Sequence, residues 1–170
     1  MIVELTEVEA YAGEADPASH AFRGPTPRNT VMYGAAGRVY VYFSYGMHNC
    51  VNLVCSPPGT ASAVLVRAGR VVSGADEARA RRGDVADAAL ARGPGNLAKA
   101  MGVTLEATGT TLWDGPLRWR PRVAATAGAA RCGPRVGVSR AADIAWRLWL
   151  DGDPSVSTYR RHPKVETGSS

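Results

Sequence analysis

Hydrophobic and polar residues alternate along residues 37–45, which read GRVYVYFSY. Successive side chains of a β-strand point to opposite faces, so this period of two predicts a half-buried strand. One face carries apolar side chains such as Val39 and Val41. The other face carries Tyr40 and Tyr42, whose aromatic rings with polar ends replace the charged side chains typical of a solvated surface.

Strand-like segments gather in the first 70 residues and recur near the end, with helical patterns between them. The predicted strands are residues 3–11, 37–45, 49–56, 63–68, 135–139 and 146–150. The Pro-Pro-Gly turn at residues 57–59 separates the third and fourth of these strands, so we expect them to pair as a hairpin. The predicted helices are residues 74–82, 85–91 and 96–101, the last with Asn96 as its N-cap. This order predicts a single α+β domain built on a curved, largely antiparallel β-sheet with flanking helices. We expect the domain to span residues 1–161 and the polar residues 162–170 to form a disordered tail.

Composition adds a charge preference and excludes several classes of protein. The 170 residues carry a formal charge of +5, which favours a polyanionic partner. Only two of the 20 basic residues are lysines, leaving 18 arginines; a GC-rich coding bias accounts for most of that choice. Three cysteines form no disulfide framework, and the three histidines lack metal-site spacing. No apolar run reaches membrane-spanning length, so we expect an intracellular, cytoplasmic protein with no metal.

Carboxylates and rings on the first strand indicate the chemistry. Glu7, Glu9 and Tyr11 share one face of the strand predicted at residues 3–11. A carboxylate beside stacking rings on two strands suits a pocket that holds a flat heterocycle and hydrolyses a bond attached to it. Glu14 and Asp16 follow on a loop, where we expect both side chains to be solvated.

Seven motifs occur in order along the chain: EVEAYAG (7–13), DPASH (16–20), TPRN (26–29), RVYVYFSYGMHNCVN (38–52), AVLVRA (63–68), RGPGNL (92–97) and GPRVGVS (133–139). Together they resemble the 3-methyladenine DNA glycosylases of the alkyladenine type. The resemblance extends from about Glu7 to about Arg161. It implies a repair enzyme that turns alkylated or deaminated purines out of duplex DNA and hydrolyses their bond to the sugar.

The resemblance implies roles for residues of the pocket. Glu9 matches the catalytic glutamate, which activates water and stabilises positive charge on the sugar. Glu7 is the competing candidate, and the Glu-Ala-Tyr register favours Glu9. The rings that would sandwich the extruded base are Tyr11, His20 and Tyr42.

Further roles follow from the same comparison, each with a structural alternative. Tyr45 matches the tyrosine that intercalates into the duplex, although a tyrosine at a strand end can also be a core residue. Met47 matches a residue beside that intercalating tyrosine that contacts DNA, or it serves only in packing. Asn52 would reject the exocyclic amine of guanine, or complete a hydrogen-bond network. Arg67 would support the water and the DNA backbone, or simply end its strand.

The mechanism implied is monofunctional and needs no cofactor. Strand-nicking relatives use an amine that forms a Schiff base with the sugar, and only Lys99 and Lys164 could supply one here. Neither lysine belongs to a recognised motif, so we expect water to be the nucleophile and an abasic site to be the product. The expected partner is double-stranded DNA with damaged purines, bound by a monomer with no membrane association.

The chain departs from the family pattern at its start, because it begins eight residues before Glu9. Relatives typically carry a leading helix and strand, whose absence we expect to affect stability more than chemistry. Val8 replaces a threonine that is common there. The first alternative function is therefore a non-catalytic DNA-binding remnant of the same fold. The second is a hydrolase acting on RNA bases, since stacking rings do not distinguish the sugar.

Overall fold

A six-stranded antiparallel sheet forms the centre of the computed structural model, which describes residues 1–44, 46–121 and 129–165. The strand order is β2-β3-β4-β1-β6-β5, so the two longest strands lie in the middle. The strands are β1 (Ile2–Tyr11), β2 (Val39–Ser44), β3 (His48–Val54), β4 (Ala63–Ser73), β5 (Ala130–Gly133) and β6 (Arg147–Leu150). The open, curled sheet confirms the predicted α+β class, and β3 and β4 form the predicted hairpin.

Two α-helices cover one face of the sheet. In α1 (Ala75–Arg82) acidic residues occupy the first turn and arginines the last, which complements the helix dipole. Pro94 starts α2 (Pro94–Met101), where its missing N–H costs nothing, and Gly102 with a φ of +67° ends it. Ala98 of α2 packs with valines of β2 and β3, and Leu97 packs with residues of β4 and the neighbouring loop.

The long connection between β1 and β2 covers part of the opposite face. Ala21 and Met32 of this connection pack on Tyr40 and on Ala61 and Ala63. Alternation along β2 therefore sends Val39 and Val41 to the helices, while Tyr40 faces the β1–β2 connection. The candidate site forms on this second face.

Three predicted elements differ from the structure. Residues 85–91 contain only one 3₁₀ turn, Asp87–Ala89, because Ala86 is extended with a ψ of 144° and the Ala89 and Leu90 N–H groups donate to carbonyls three residues back. Asn96 lies inside α2 and is not its N-cap; its side chain donates to the Arg92 carbonyl. Residues 135–139 form a loop containing Gly137 at a φ of +67°, and the strand lies earlier, at β5.

Both described α-helices contain eight residues. Neither is long and apolar enough to cross a membrane, which takes about 20 residues.

Candidate active site

Strand register places a row of residues across five strands. Tyr40 pairs with Asn52, Asn52 and Glu9 both pair with Leu65, and Glu9 pairs with Arg147 on its other side. Directly paired residues of neighbouring strands point to the same face. The register therefore brings polar side chains from distant parts of the chain to one face of the sheet.

A β-bulge directs Arg67 into this group. Val8 pairs with Val66 and Glu7 with Ala68, so Arg67 is the extra residue of β4 at that point. Bulges re-aim side chains beside functional sites. The buried Arg67 guanidinium reaches Glu7 Oε1 through Nε at 2.8 Å and Glu9 Oε1 through Nη1 at 3.2 Å. Burial disfavours its charge, but the Glu9 and Glu7 carboxylates raise the pKa of Arg67 above its usual value.

A cavity of about 700 Å³ opens above this row. Five residues singled out from the sequence line it: Tyr11, His20, Tyr42, Asn52 and Arg67. They come from β1, the β1–β2 connection, β2, β3 and β4, respectively. A volume of this size falls in the range of small-ligand pockets.

Glu9 lies directly behind the cavity lining and is fully buried, with 0% of its surface exposed. Its Oε1 accepts a hydrogen bond from the Val136 backbone N–H at 2.7 Å and lies near Arg67. Its Oε2 accepts from the Tyr11 hydroxyl at 2.9 Å. Since Tyr11, Arg67 and Val136 all line the cavity, each residue contacting the carboxylate also borders the space where a ligand would bind.

The rings of Tyr11, His20, Tyr40 and Tyr42 all line the cavity. The His20 and Tyr42 rings meet edge to face with centroids 4.4 Å apart, and His20 Nδ1 lies 3.1 Å from the Tyr40 hydroxyl. Desolvation against these rings and the positive charge of Arg28 lower the pKa of His20. Burial and the Glu9 carboxylate raise the pKa of Tyr11, which keeps its hydroxyl a donor to Glu9.

Asn52 lies within the same cavity and is 5% exposed. Its Nδ2 donates to the Tyr40 backbone carbonyl at 3.3 Å. The side chain therefore faces the ligand space and also completes a hydrogen bond between β2 and β3, so both predicted roles are compatible with its position.

The β2–β3 turn carries the remaining predicted residues. Met47 is 67% exposed there and does not belong to the cavity lining, and Gly46 and His48 beside it are exposed. Tyr45 lies outside the described residues, so its intercalating role stays a prediction.

Glu7 has a different environment from Glu9, and it does not line the cavity. Its Oε1 accepts from the Arg67 and Arg147 Nε atoms at 2.8 and 2.7 Å and from the Ser157 hydroxyl at 2.9 Å. Its Oε2 accepts from the Ser157 backbone N–H at 2.7 Å. Burial alone would raise the pKa of Glu7, but Arg67 and the hydrogen bonds from Arg147 and Ser157 lower it.

A buried ion pair that the sequence did not suggest supports the cavity. The expectation that Asp16 is solvated was wrong: Asp16 is 0% exposed and pairs with Arg135 through contacts of 2.5 and 2.9 Å. The Arg135 guanidinium also stacks on the Tyr11 ring, 4.6 Å from its centroid. The arginine neighbours Val136, so this pair fixes both the ring and the N–H that contact Glu9. Asp16 lies in the DPASH motif and Arg135 in the GPRVGVS motif, but no local pattern links the two, because they are 119 residues apart.

Within the described ranges, no group of three His, Cys, Asp or Glu side chains is placed to hold a metal ion. The cavity lining offers guanidinium, hydroxyl, thiol, amide and ring groups, and the Glu9 carboxylate lies directly behind it.

Comparison with known proteins gives one consistent result. The family model described as methylpurine-DNA glycosylase matches residues 1–154. A protein of Cutibacterium acnes is 56% identical over 161 residues, covering 91% of this chain and 84% of that protein. A protein of Nocardia farcinica is 54% identical over 171 residues, covering 96% of this chain and 81% of that protein. Both are named "Putative 3-methyladenine DNA glycosylase".

The same name is carried by a Mycobacterium leprae protein that is 51% identical over 169 residues, which cover 95% of this chain and 78% of that protein. The family match includes all six strands, among them β1 to β4, which contribute residues to the cavity lining. By the family model and by these relatives, the chain belongs to the methylpurine-DNA glycosylase family and is a DNA glycosylase.

Proposed function

We propose that this enzyme removes alkylated and deaminated purines from duplex DNA by turning the damaged base out of the helix and hydrolysing its N-glycosidic bond. The observation that carries the proposal is the position of the Glu9 carboxylate directly behind a cavity that is lined by the rings of Tyr11, His20 and Tyr42, with Tyr11 contacting both. Family membership supports the coarser statement that the enzyme is a DNA glycosylase for alkylated bases.

Base binding follows from the shape and lining of the cavity. A base within a duplex cannot enter a cavity of this kind without leaving the stack. Stacking on an aromatic side chain contributes about 1–3 kcal/mol per base and tolerates different bases. We infer that Tyr11, His20 and Tyr42 hold the extruded purine and that Tyr45 fills the gap left in the duplex. Such stacking explains a broad range of damaged bases better than fine selection among them.

Hydrolysis would depend on Glu9. Each carboxylate oxygen offers two acceptor sites, and Oε1 already meets the Val136 N–H and Arg67. Oε2 meets only the Tyr11 hydroxyl among the described groups, so it retains a site for one water molecule. In this role Glu9 takes a proton from the water as it attacks the sugar, and its charge stabilises the positive charge that develops there.

Water is the proposed nucleophile because the described cavity lining contains no lysine. Lys99 is exposed on α2, five positions beyond Pro94, and Lys164 lies in the C-terminal segment. The product would then be an abasic site in an intact strand. Cationic alkylated purines leave readily, whereas neutral bases such as hypoxanthine need protonation as they depart.

The setting of the reaction is also part of the proposal. We propose that a monomer is the active unit. The relatives are bacterial, and we propose that the enzyme acts on chromosomal DNA in the bacterial cytoplasm.

Incubation with duplex oligonucleotides tests this function directly. Each duplex holds one hypoxanthine, ethenoadenine or 3-methyladenine-like base, and alkali afterwards reveals abasic sites as strand breaks. We expect breaks at the lesion only after alkali, and none in the matched undamaged duplex. Binding of lesion duplexes without any breaks would instead favour the non-catalytic DNA-binding remnant. For a matched RNA duplex the readout is chromatography of the released base, because alkali cleaves RNA at every linkage. Faster base release from RNA than from DNA would favour the RNA hydrolase.

A further inference from the structure

The residues that follow β6 reach the mouth of the cavity. We name residues 157–165 the C-terminal arm. Its first residue, Ser157, is anchored to Glu7 and Arg147, and five residues further on His162 lines the same cavity as Tyr11. The segment expected to begin a disordered tail therefore contributes a side chain to the candidate active site.

Two contacts hold the C-terminal arm against the connection between β5 and β6. The Gly137 backbone N–H donates to the Arg160 carbonyl at 2.9 Å, and Arg161 Nη1 donates to Asp143 at 2.7 Å. Gly137 itself lines the cavity. These contacts involve the backbone of Arg160 and the side chain of Arg161, so they fix the path of the arm without using the Arg160 guanidinium.

The exposed charges of the C-terminal arm all have one sign. Residues 158–165 contain three cationic side chains and no Asp or Glu. Arg161 is paired with Asp143, whereas Arg160 and Lys164 are exposed on either side of His162. Two residues of extended chain span at most about 7 Å, so both cations lie within reach of the cavity mouth.

We propose that the C-terminal arm is part of the DNA-binding surface, with Arg160 and Lys164 contacting backbone phosphates beside the extruded nucleotide. This inference rests on the proposed function. An extruded base remains joined through its sugar to two phosphates, and these must lie at the mouth when the base occupies the cavity. Arginine and lysine side chains are the usual phosphate partners of such surfaces. The family match ends at residue 154, before the arm begins.

A purely structural role for the arm predicts something different. In that case Ser157 matters because it closes the Glu7 cluster, while the exposed charges of Arg160 and Lys164 have no effect on binding. The two roles separate in the salt dependence of DNA affinity, since each phosphate contact contributes about −0.9 to the slope of log K against log salt concentration.

The test compares two double variants with the parent enzyme. R160A/K164A removes one arginine and one lysine from the arm, and R79A/K99A removes the same two types of charge from the helices. The probe is a duplex with one stable abasic-site analogue, bound at salt concentrations between about 50 and 200 mM. We expect R160A/K164A to reduce the magnitude of the slope by about 1.8 and R79A/K99A to leave it close to the parent value.

Thermal unfolding of both variants provides the control for folding. The expected melting temperatures lie close to that of the parent, because all four side chains are exposed or half-exposed and the ion pairs of Arg79 with Asp76 and Asp87 are at the surface, where such pairs contribute little. A slope for R160A/K164A equal to that of the parent would overturn the inference. The proposed function fails separately, through a parent enzyme that neither binds the probe nor cleaves lesion duplexes.

Discussion

Glu7 and Glu9 are two residues apart on β1, equally buried, and engaged by the same arginine, yet their surroundings differ. Glu7 is enclosed by donors from three segments: Arg67 on β4, Arg147 on β6 and Ser157 in the C-terminal arm. Glu9 is contacted by Arg67, Tyr11 and Val136, each of which borders the cavity. Residue type and burial therefore do not distinguish the two carboxylates. They differ in whether the residues that contact them also border the cavity.

The difference suggests a division of labour. A buried charge is tolerated when partners and hydrogen bonds compensate it, which describes the Glu7 cluster completely. Each carboxylate has one oxygen with a single donor among the described groups, but only at Glu9 do all the contacting residues border a space for a ligand. Arg67 joins the two, because its Nε contacts Glu7 and its Nη1 contacts Glu9. We therefore expect Glu7 to hold Arg67 in place and Glu9 to perform the chemistry.

Replacing each carboxylate with the corresponding amide is the strongest test of the proposed difference in role between Glu7 and Glu9. We predict that Glu9→Gln binds lesion DNA about as well as the parent but excises the base about 10²–10⁴-fold more slowly, since the general base is lost. Single-turnover excision from a hypoxanthine duplex measures the effect. Glu7→Gln is the matched control and should retain most of the parent rate. If Glu7→Gln proved the inactive variant, the assignment of the two residues would have to be reversed.

Sequence patterns predicted most of the strands that carry these residues. The period-two alternation located β1 and β2, and the Pro-Pro-Gly turn located the hairpin of β3 and β4. The motifs singled out five residues that line one cavity, although they come from five segments of the chain.

The environments of individual carboxylates could not be predicted in the same way. The partners of Glu7 are 60, 140 and 150 residues away in sequence, and the partner of Asp16 is 119 residues away. No local pattern encodes such contacts, because they depend on how the strands pair and where a bulge places Arg67. For the same reason residues 135–139, whose apolar character resembles a strand, form a loop shaped by Arg135 and Gly137.

For stability we expect the opposite order, with the larger loss in Glu7→Gln and the smaller loss in Glu9→Gln. Removing one partner of a buried ion pair typically costs about 3–5 kcal/mol because the other charge stays buried. We predict a loss of this size in the free energy of unfolding for Glu7→Gln, because Arg67 and Arg147 lose the negative charge that both contact, even though the amide oxygen can still accept a hydrogen bond. Urea titration of both amide variants measures it. A Glu7→Gln variant as stable as the parent would mean that the cluster does not support the fold.

Asn52 allows a test of selectivity within the cavity. Its side chain borders the ligand space and also donates a hydrogen bond to the Tyr40 carbonyl. If its amide blocks the exocyclic amine of guanine, Asn52→Ala should raise the slow excision of normal guanine while changing excision of hypoxanthine much less. If it serves only the hydrogen bond, the loss is about 1–3 kcal/mol of stability with no new substrate. Excision assays on undamaged duplex, run beside thermal unfolding, separate the outcomes. A destabilised variant with unchanged selectivity would remove the selective role.

The smallest expected effect is the pH dependence of stability, and it concerns Glu7. Its pKa is lowered in the folded protein from an ordinary value of 4.5, chiefly because Arg67, Arg147 and Ser157 outweigh burial. The stabilisation is therefore complete above about pH 4.5 and is lost as the pH falls through the lowered pKa, where the unfolded chain binds the proton first. One such group changes the unfolding free energy by at most about 1.4 kcal/mol per pH unit. Urea unfolding below pH 4.5 should thus show a shallower pH slope for Glu7→Gln than for the parent, whereas Glu106→Gln, which alters an exposed carboxylate, should follow the parent. Coincident slopes for the parent and Glu7→Gln would contradict the electrostatic account of the cluster and leave its hydrogen bonds as the source of stability.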